Sequence, residues 1–207
     1  LATGAKPRSL NIPGEAEYVG KGVHYCSTCD GPFYKGLDVA VIGGGNSGVE
    51  AALDMSGIAK NVTLIEFMPE LKADKVLQKK LAQRENVNVI LNSATTEVLG
   101  TEFVENLKYK NRATNEEKTL KLDGIFIEVG LSPSSEIVKD LVELNKVGEI
   151  VINPVNNETS VEGIFAAGDV TSIKQKQIIL LFIALIIRKL YVLPILPFIY
   201  KLQCAKL

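Results

Sequence analysis

The sequence has few cysteines, no excess of charge of either sign and no long hydrophobic run, and each of these absences argues against one class of protein. Three cysteines in 207 residues are too few for the disulfide framework of a small secreted protein. A formal net charge of −1, from 23 basic and 24 acidic residues, argues against nucleic acid or an anionic membrane as a partner. We therefore expect a cytoplasmic globular protein whose partners are small molecules or other proteins.

The two ends of the sequence lack the features of targeting segments. No basic stretch followed by an apolar run occurs at the start, and the abrupt opening on Leu1 suggests a piece of a longer protein. The apolar run 178–187 is too short to span a bilayer, although a membrane anchor remains an alternative that rests on this segment alone. Residues 170–207 contain no Gly, Asp or Glu, so we interpret this tail as frame-shifted or otherwise disrupted.

The middle of the chain reads as alternating buried strands and helices. Short β-branched runs bounded by glycines predict buried parallel strands, and apolar residues at helical spacing predict the helices between them. The predicted order is βαβαβ, with strands at Asp38–Ile42, Val62–Phe67 and Val87–Leu91 and helices at Ser47–Ala59 and Lys75–Arg84.

Residues 95–122 change to short alternating segments joined by polar turns, which predict an antiparallel meander. A last buried strand follows at 124–130, and we place the main domain boundary next to it, near Leu131. Residues 6–22 fit neither helix nor strand and are interpreted as a linker. The fold class is therefore α/β.

A glycine-rich turn directly follows the first buried strand and opens the first helix. Its three spaced glycines, Gly43, Gly45 and Gly48, match the G-x-G-x-x-G fingerprint of a Rossmann dinucleotide site, with Asn46 and Ser47 at the helix start. In that context the pyrophosphate rests on unpaired helix N–H groups. The alternative is a glycine-rich turn that binds nothing.

An acidic residue closes the second strand, at the spacing expected for ribose recognition. Glu66 lies 23 residues after Gly43, close to the roughly 20 residues typical of the acid that hydrogen-bonds the adenosine ribose. A carboxylate there repels a 2′-phosphate. We therefore predict NADH rather than NADPH as the nucleotide.

A second motif, upstream of the glycine turn, carries two thiols. Cys26 and Cys29 form a C-x-x-C pair, in which one thiol typically attacks as the thiolate and the other resolves the mixed disulfide. Asp30 follows at once and is placed to pass a proton to a departing thiolate. The alternative is a zinc site that adds His24, with Cys204 as the remaining soft ligand; we expect no metal and interpret His24 as structural or as a loop contact.

Taken together, these motifs resemble the bacterial thioredoxin reductase family. The resemblance rests on Cys26 to Pro32 and on Val39 to Gly48, and it extends to a second motif, Thr159 to Asp169. Members with a basic cluster after the second nucleotide strand use NADPH, whereas the segment beginning at Glu66 is similar to the NADH-using flavoproteins of the alkyl hydroperoxide reductase type.

The resemblance implies FAD as a second cofactor. Gly168 and Asp169 would bind its ribityl chain, and Ala2, Thr3 and Gly4 match the strand end that returns from the flavin domain. Electrons would pass from NADH to FAD and on to the cysteine pair. A peroxiredoxin or thioredoxin-like disulfide would be the final acceptor.

The family's pattern also assigns roles to the thiols and to the domains. Cys29 would face the flavin and Cys26 would attack the partner, and a rotation between domains is implied because one flavin cannot meet both reactants at once. The expected organisation is a flavin-domain remnant and linker (1–13), a Rossmann-like NAD(P)-binding domain (14–131), a partial FAD-binding domain of the same type (132–177) and the apolar tail (178–207).

Three alternatives to this function remain open at the level of sequence. One is an NADPH-dependent thioredoxin reductase, and another is a flavin-free nucleotide-binding module without activity. The third is the membrane-attached protein that the tail alone suggests. A homodimer is only a weak expectation, because most of the flavin domain that would build its interface is absent.

Overall fold

The computed structural model of the protein describes residues 1–173. The chain divides into two compact units, one formed by Leu1–Lys6 together with the residues from Ser132 onward and the other by Pro7–Leu131. The predicted tail, 178–207, lies outside the described residues. Within residues 1–173, no helix is both long enough and apolar enough to cross a membrane.

The described chain forms ten strands and three α-helices. The strands are β1 (Ala5–Pro7), β2 (Val23–His24), β3 (Asp38–Ile42), β4 (Asn61–Ile65), β5 (Val87–Ile90), β6 (Ser93–Gly100), β7 (Val104–Asn111), β8 (Glu117–Lys121), β9 (Gly124–Ile127) and β10 (Leu131–Pro133). The helices are α1 (Ser27–Asp30), α2 (Asn46–Ser56) and α3 (Lys75–Leu81), and 3₁₀ turns occur at Gly31–Tyr34 and Glu136–Val138.

A five-stranded parallel sheet is the framework of the unit Pro7–Leu131. Its strand order is β2-β9-β3-β4-β5, so β9 enters between β2 and β3 although it comes last in the chain. The central strands are buried on both faces because side chains cover both, and their β-branched residues fit that environment. The predicted α/β fold with its βαβαβ order is confirmed.

Helix α2 covers one face of this sheet. Val49, Ala52 and Met55 are fully buried and pack in one cluster with Val39 and Val41 of β3. Burying such side chains contributes roughly 1.5–3 kcal/mol for each large one. The helix stops earlier than predicted because the N–H of Gly57 turns back to the carbonyl of Asp54.

The three strands β6, β7 and β8 form an antiparallel sheet, as the alternating pattern predicted. Val98, Val104 and Leu107 from this sheet are buried in a second cluster, together with Ile42 and Ile125 from the parallel sheet. The meander therefore contributes to the second apolar core of the unit.

The predicted linker is packed against the unit that contains the parallel sheet. The carbonyl of Pro13 accepts the N–H of Val98 at 2.9 Å. Glu15 is buried and its carboxylate accepts the backbone N–H of Leu10 at 2.9 Å and the hydroxyl of Tyr25 at 2.8 Å. Lys6 and Pro7 belong to β1, contrary to the prediction; the rest of the segment is irregular and shares these hydrogen bonds with the unit.

The unit formed by Leu1–Lys6 and the residues from Ser132 has its own small core. Its buried side chains are Val138, Val142, Ile150, Ile152, Ala166 and Val170. The first residues join it through the backbone, because the N–H of Ala167 donates to the carbonyl of Leu1 at 2.9 Å and that of Ser134 to Gly4 at 2.9 Å.

Candidate functional site

A cleft of about 450 Å³ opens at the carboxyl ends of β3, β4 and β9. The predicted residues Gly43, Gly45, Asn46, Ser47 and Glu66 all line it. In open parallel sheets, ligands bind at this edge, beside the strand where the order of connection reverses. The structure therefore brings the predicted nucleotide residues of this unit together around one cleft.

The glycines of the turn have distinct reasons for lacking a side chain. Gly43 has φ +116°, and an added Cβ would lie 2.3 Å from the carbonyl oxygen of Glu128. At Gly48 an added Cβ would lie 1.8 Å from the carbonyl oxygen of Gly43, so α2 could not approach the turn so closely. Gly45 meets nothing within 4 Å and leaves an open face on the cleft.

Glu66 is buried under the turn and holds it. Its Oε2 accepts the N–H of Gly44, and its Oε1 accepts the N–H of Met68 at 2.7 Å. Since an ionised carboxylate has about four acceptor positions, both oxygens keep capacity for a hydroxyl in the cleft. The residue predicted to read the ribose is thus fixed in place by the backbone on both sides of it.

Asn46 is fixed through its side chain. The amide Nδ2 donates to Asp74 Oδ2 at 3.1 Å, and the N–H of Asp74 donates to Asn46 Oδ1 at 2.8 Å. These two bonds join the start of α2 to the residue that precedes α3. The side chain of Asn46 therefore connects two sides of the cleft, and its backbone N–H belongs to a helix start of the kind that can bind an anion.

An aromatic side chain follows Glu66 on the rim of the cleft. Phe67 is 52% exposed and lines the cleft. The guanidinium of Arg112 lies 3.7 Å from the centre of its ring and donates to its carbonyl oxygen at 2.9 Å. One face of the ring is thereby backed by a cation, an arrangement that fixes the ring's orientation.

A second carboxyl group lies on the opposite side of the glycine turn. Glu128 follows β9, whose residue Ile127 is the register partner of Ile42, and it lines the same cleft. Burial raises the pKa of Glu128 to about 7. This carboxyl group therefore changes its charge near neutral pH, beside the place where a dinucleotide would lie.

The two predicted redox cysteines form a disulfide bond in the structure. Cys26 is half-buried and precedes the one-turn helix α1, whereas Cys29 is exposed. The backbone N–H of Cys29 donates to the Sγ of Cys26 at 3.2 Å. An N–H in this position would stabilise negative charge on Cys26 once the bond is reduced.

Asp30 is linked to the single histidine of the chain. The Nδ1 of His24 lies 3.0 Å from Asp30 Oδ2, and its Nε2 lies 2.7 Å from the hydroxyl of Tyr34. The imidazole also stacks on Phe126, with ring centres 5.5 Å apart. His24 is thus engaged by protein groups at both nitrogens and on its ring face.

The zinc alternative has no further support in the described chain. Within residues 1–173, no group of three or more His, Cys, Asp or Glu side chains is arranged to hold a metal ion. The sulfurs of Cys26 and Cys29 are bonded to each other. The fourth ligand that this alternative required, Cys204, lies outside the described residues.

The predicted flavin residues occur together in the other unit. Leu1 pairs with the backbone of Phe165 and Ala167, which brings the segment Ala2, Thr3 and Gly4 beside the segment that ends in Gly168 and Asp169. Both glycines have positive φ, +68° and +81°, and a Cβ added at Gly4 would meet nothing within 4 Å. Two separate motifs thus form one backbone platform.

Three features of the site lay outside the sequence prediction. Glu128 falls inside the predicted strand 124–130, Arg112 belongs to no motif, and the prediction of His24 as structural or as a loop contact names no partner for it. Only His24 carried a usable signal, because a histidine six residues before an aspartate that follows a redox pair can reach it if the chain turns.

Comparisons with known proteins agree with this geometry. A family model described as pyridine nucleotide-disulphide oxidoreductase matches residues 1–184. The F subunit of alkyl hydroperoxide reductase from Staphylococcus aureus is 57% identical over 180 residues, and that from Pseudomonas putida is 55% identical over 181 residues. Each match covers 87% of this chain and 35% of the relative, so the chain spans about a third of the length of these relatives.

Solved structures show the same fold. The thioredoxin reductase of T. acidophilum superposes with a TM-score of 0.79 at 46% identity, covering 85% of this chain and 58% of that one. The thioredoxin reductase of Lactococcus lactis gives a TM-score of 0.83 at 37% identity, covering 92% of this chain and 63% of that one. The resemblance inferred from the motifs is confirmed, and the chain belongs to the pyridine nucleotide-disulphide oxidoreductase family.

Proposed function

We propose that this chain carries the NADH site and the redox disulfide of an FAD-linked disulfide reductase that serves a peroxiredoxin or thioredoxin-like partner. The observation that carries the proposal is the presence, on one sheet, of a dinucleotide cleft and a Cys26–Cys29 disulfide. The similarity to the F subunit of alkyl hydroperoxide reductase favours a peroxiredoxin as the partner.

Binding of NADH would follow from the geometry of the turn. The pyrophosphate would lie over the open face of Gly45 and on the first N–H groups of α2, where the helix dipole favours an anion. The ribose of the adenosine would donate a hydroxyl to Glu66. A 2′-phosphate at that place would meet the buried carboxylate, and like charges at close range weaken binding.

The segments Ala2–Gly4 and Gly168–Asp169 fit the second cofactor, FAD, by their chemistry. The exposed backbone of Ala2–Gly4 can approach a phosphate or sugar closely because Gly4 has no side chain, and the Asp169 carboxylate can accept ribityl hydroxyls. When bound, FAD would supply the step from a hydride donor to a disulfide. The residues of this chain would hold and orient it.

The cysteine pair would then pass the electrons on. Cys26 is the nucleophile we propose for the partner's disulfide, because the Cys29 N–H favours its thiolate. Cys29 would resolve the mixed disulfide, and Asp30 would give a proton to the departing sulfur. The partner's disulfide ends as two thiols and the Cys26–Cys29 bond forms again.

The test uses the 207-residue chain itself. It is titrated with NADH and NADPH, and its absorption spectrum is recorded after incubation with FAD and gel filtration. We expect NADH to bind at least about tenfold more tightly than NADPH, a difference of ~1.4 kcal/mol, and Glu66→Gln to reduce that preference. Equal affinities would point to the NADPH-using thioredoxin reductases instead, and absence of nucleotide binding would refute the proposal.

The disulfide is tested separately with protein partners. The reduced chain is mixed with an oxidised peroxiredoxin or an oxidised thioredoxin, and loss of the partner's disulfide is followed by thiol labelling. We expect transfer to the peroxiredoxin to be the faster reaction. Cys26→Ser should abolish it, because the proposed nucleophile is lost and Cys29 alone cannot re-form the intrachain disulfide that completes the transfer. Transfer that persists in Cys26→Ser would contradict the assigned role.

A further inference from the structure

A hydrogen-bonded chain of three side chains begins next to the redox disulfide and ends in the core. Asp30 directly follows Cys29 and is 35% exposed, while His24, 3.0 Å from it, is only 11% exposed. Tyr34 completes the chain, 2.7 Å from His24, and is buried. A buried network whose hydrogen bonds are satisfied holds its side chains in fixed positions.

The direction of the hydrogen bonds follows from the chemistry of Tyr34. Burial, and then the negative charges of Asp30 and Asp123, raise the pKa of Tyr34 to about 12. Its hydroxyl therefore keeps its proton, and we assign it as the donor to Nε2 of His24. An imidazole that accepts at Nε2 carries its proton at Nδ1, so in this assignment His24 donates to Asp30.

We propose that His24 is a positioning residue for disulfide exchange: it holds Asp30 Oδ2 so that the other oxygen, Oδ1, carries the proton for a departing thiolate. The inference rests on the function proposed above. The Nδ1–H bond also stabilises the carboxylate that remains after the proton has left, because hydrogen bonds to ionised groups are stronger. Tyr34 acts one step further away, by fixing the tautomer of His24.

The proton balance defines what Asp30 must do. The Cys26 thiolate attacks the partner's disulfide and expels one thiolate, which takes the proton of the Asp30 carboxylic acid. The Asp30 carboxylate then removes the Cys29 proton, the Cys29 thiolate attacks Cys26 Sγ, and the second departing thiolate receives that proton. Two thiols leave, one disulfide forms, and water returns one proton to Asp30.

The test compares two small disulfides with the reduced chain in a Cys204→Ser background. The first is an aryl disulfide whose nitrobenzoate leaving group departs as a stable thiolate and needs no proton. The second is hydroxyethyl disulfide, which releases an alkyl thiolate that does need a proton. We expect His24→Ala to slow the alkyl reaction about tenfold or more, and the aryl reaction by less than about twofold, since a positioned general acid contributes about 10²–10⁴-fold. Rates are compared at equal thiolate fractions, measured by ultraviolet absorbance.

Matched variants separate positioning from folding. His24→Asn keeps an N–H donor toward Asp30 and should restore most of the alkyl rate. Tyr25→Phe, next to Cys26, loses a hydrogen bond of 2.8 Å to Glu15 and should change neither reaction. In an Asp30→Asn background, His24→Ala should have no further effect, because residues that act through one another are not additive.

Each result has a defined meaning. Equal slowing with both disulfides, or a His24→Ala effect that persists in Asp30→Asn, would overturn the inference. If His24→Ala does not fold, Tyr34→Phe decides: selective slowing of the alkyl reaction supports the inference and unchanged rates overturn it. If the unmodified Cys26–Cys29 pair exchanges with neither disulfide, the proposed function fails as well.

Discussion

Replacing Gly45 by alanine should weaken nucleotide binding while leaving the fold intact. The backbone at Gly45 has φ −78° and ψ −175°, which alanine adopts freely, and the added Cβ would meet nothing within 4 Å. Alanine stabilises by about 0.4–1 kcal/mol through the unfolded chain, but it is a poorer N-cap by a similar amount. The free energy of unfolding should therefore change by less than about 0.5 kcal/mol.

The open space that lets the fold accept a methyl group at Gly45 is also the reason why nucleotide binding should weaken. The methyl group would occupy the open face of the turn on the cleft, where the pyrophosphate must approach the backbone. We expect NADH affinity to fall by at least about tenfold, or ~1.4 kcal/mol. Isothermal titration with NADH measures this, and urea denaturation of the same preparation measures stability.

Gly48→Ala is the matched comparison, because it changes the same turn but is expected to lower the stability of the fold. Its Cβ would lie 1.8 Å from the Gly43 carbonyl oxygen, so α2 must move away and the unit should lose roughly 1–3 kcal/mol of stability. Unchanged NADH affinity in Gly45→Ala would refute the assignment of the pyrophosphate to this turn. Unchanged stability in Gly48→Ala would refute the close approach of helix and strand.

Three further outcomes follow from the same site. Burial raises the pKa of Glu128 from 4.5 to about 7, so its protonated form stabilises the fold fully below pH 4.5, and this stabilisation is lost as pH rises through 7. The free energy of unfolding should fall accordingly, and Glu128→Gln should make this fall smaller by roughly 1–2 kcal/mol, allowing for solvent screening. Urea denaturation at several pH values measures the difference. Cys29→Ser should leave Cys26 joined to an oxidised partner as a mixed disulfide that survives non-reducing electrophoresis, and failure to trap it would argue against Cys26 as the nucleophile. Arg112→Ala should free the Phe67 ring and lower the free energy of unfolding by about 0.5–1 kcal/mol, and Arg112→Lys should recover only part of it, in the same denaturation assay.

The sequence was sufficient for those parts of the fold that are encoded locally. The strand at Asp38–Ile42, the glycine turn and α2 are contiguous, so a buried run, a turn and a helical pattern predict them together. The ends were less accurate: the last strand stops at Ile127 instead of residue 130, because the chain leaves the ladder after Glu128 bonds to Ile42. A strand's end depends on its neighbour, and the neighbour is distant in sequence.

Features that depend on strand order could not be predicted. β9 lies between β2 and β3, and this pairing alone brings Glu128 to the glycine turn and Phe126 under the His24 ring. Arg112 reaches Phe67 from a hairpin that follows β7, across 45 residues of sequence. A motif search finds residues that are close along the chain, whereas these contacts exist only after the sheet has assembled.

The strand order would also give the proposed dinucleotide a direction. Glu66 follows β4, on one side of the glycine turn, so an adenosine held there sends the other half of the molecule toward β9 and Glu128. β2 is the next strand beyond β9 and runs parallel to it, and Cys26 follows β2 at the same edge of the sheet. Neighbouring strands are about 4.8 Å apart, and Glu128 and Cys26 follow adjacent strands of one sheet. Under the proposed function, one sheet edge would therefore carry both the electron donor and the electron acceptor, and this placement depends on the order of the strands more than on either motif, so that each would have to meet the flavin in turn.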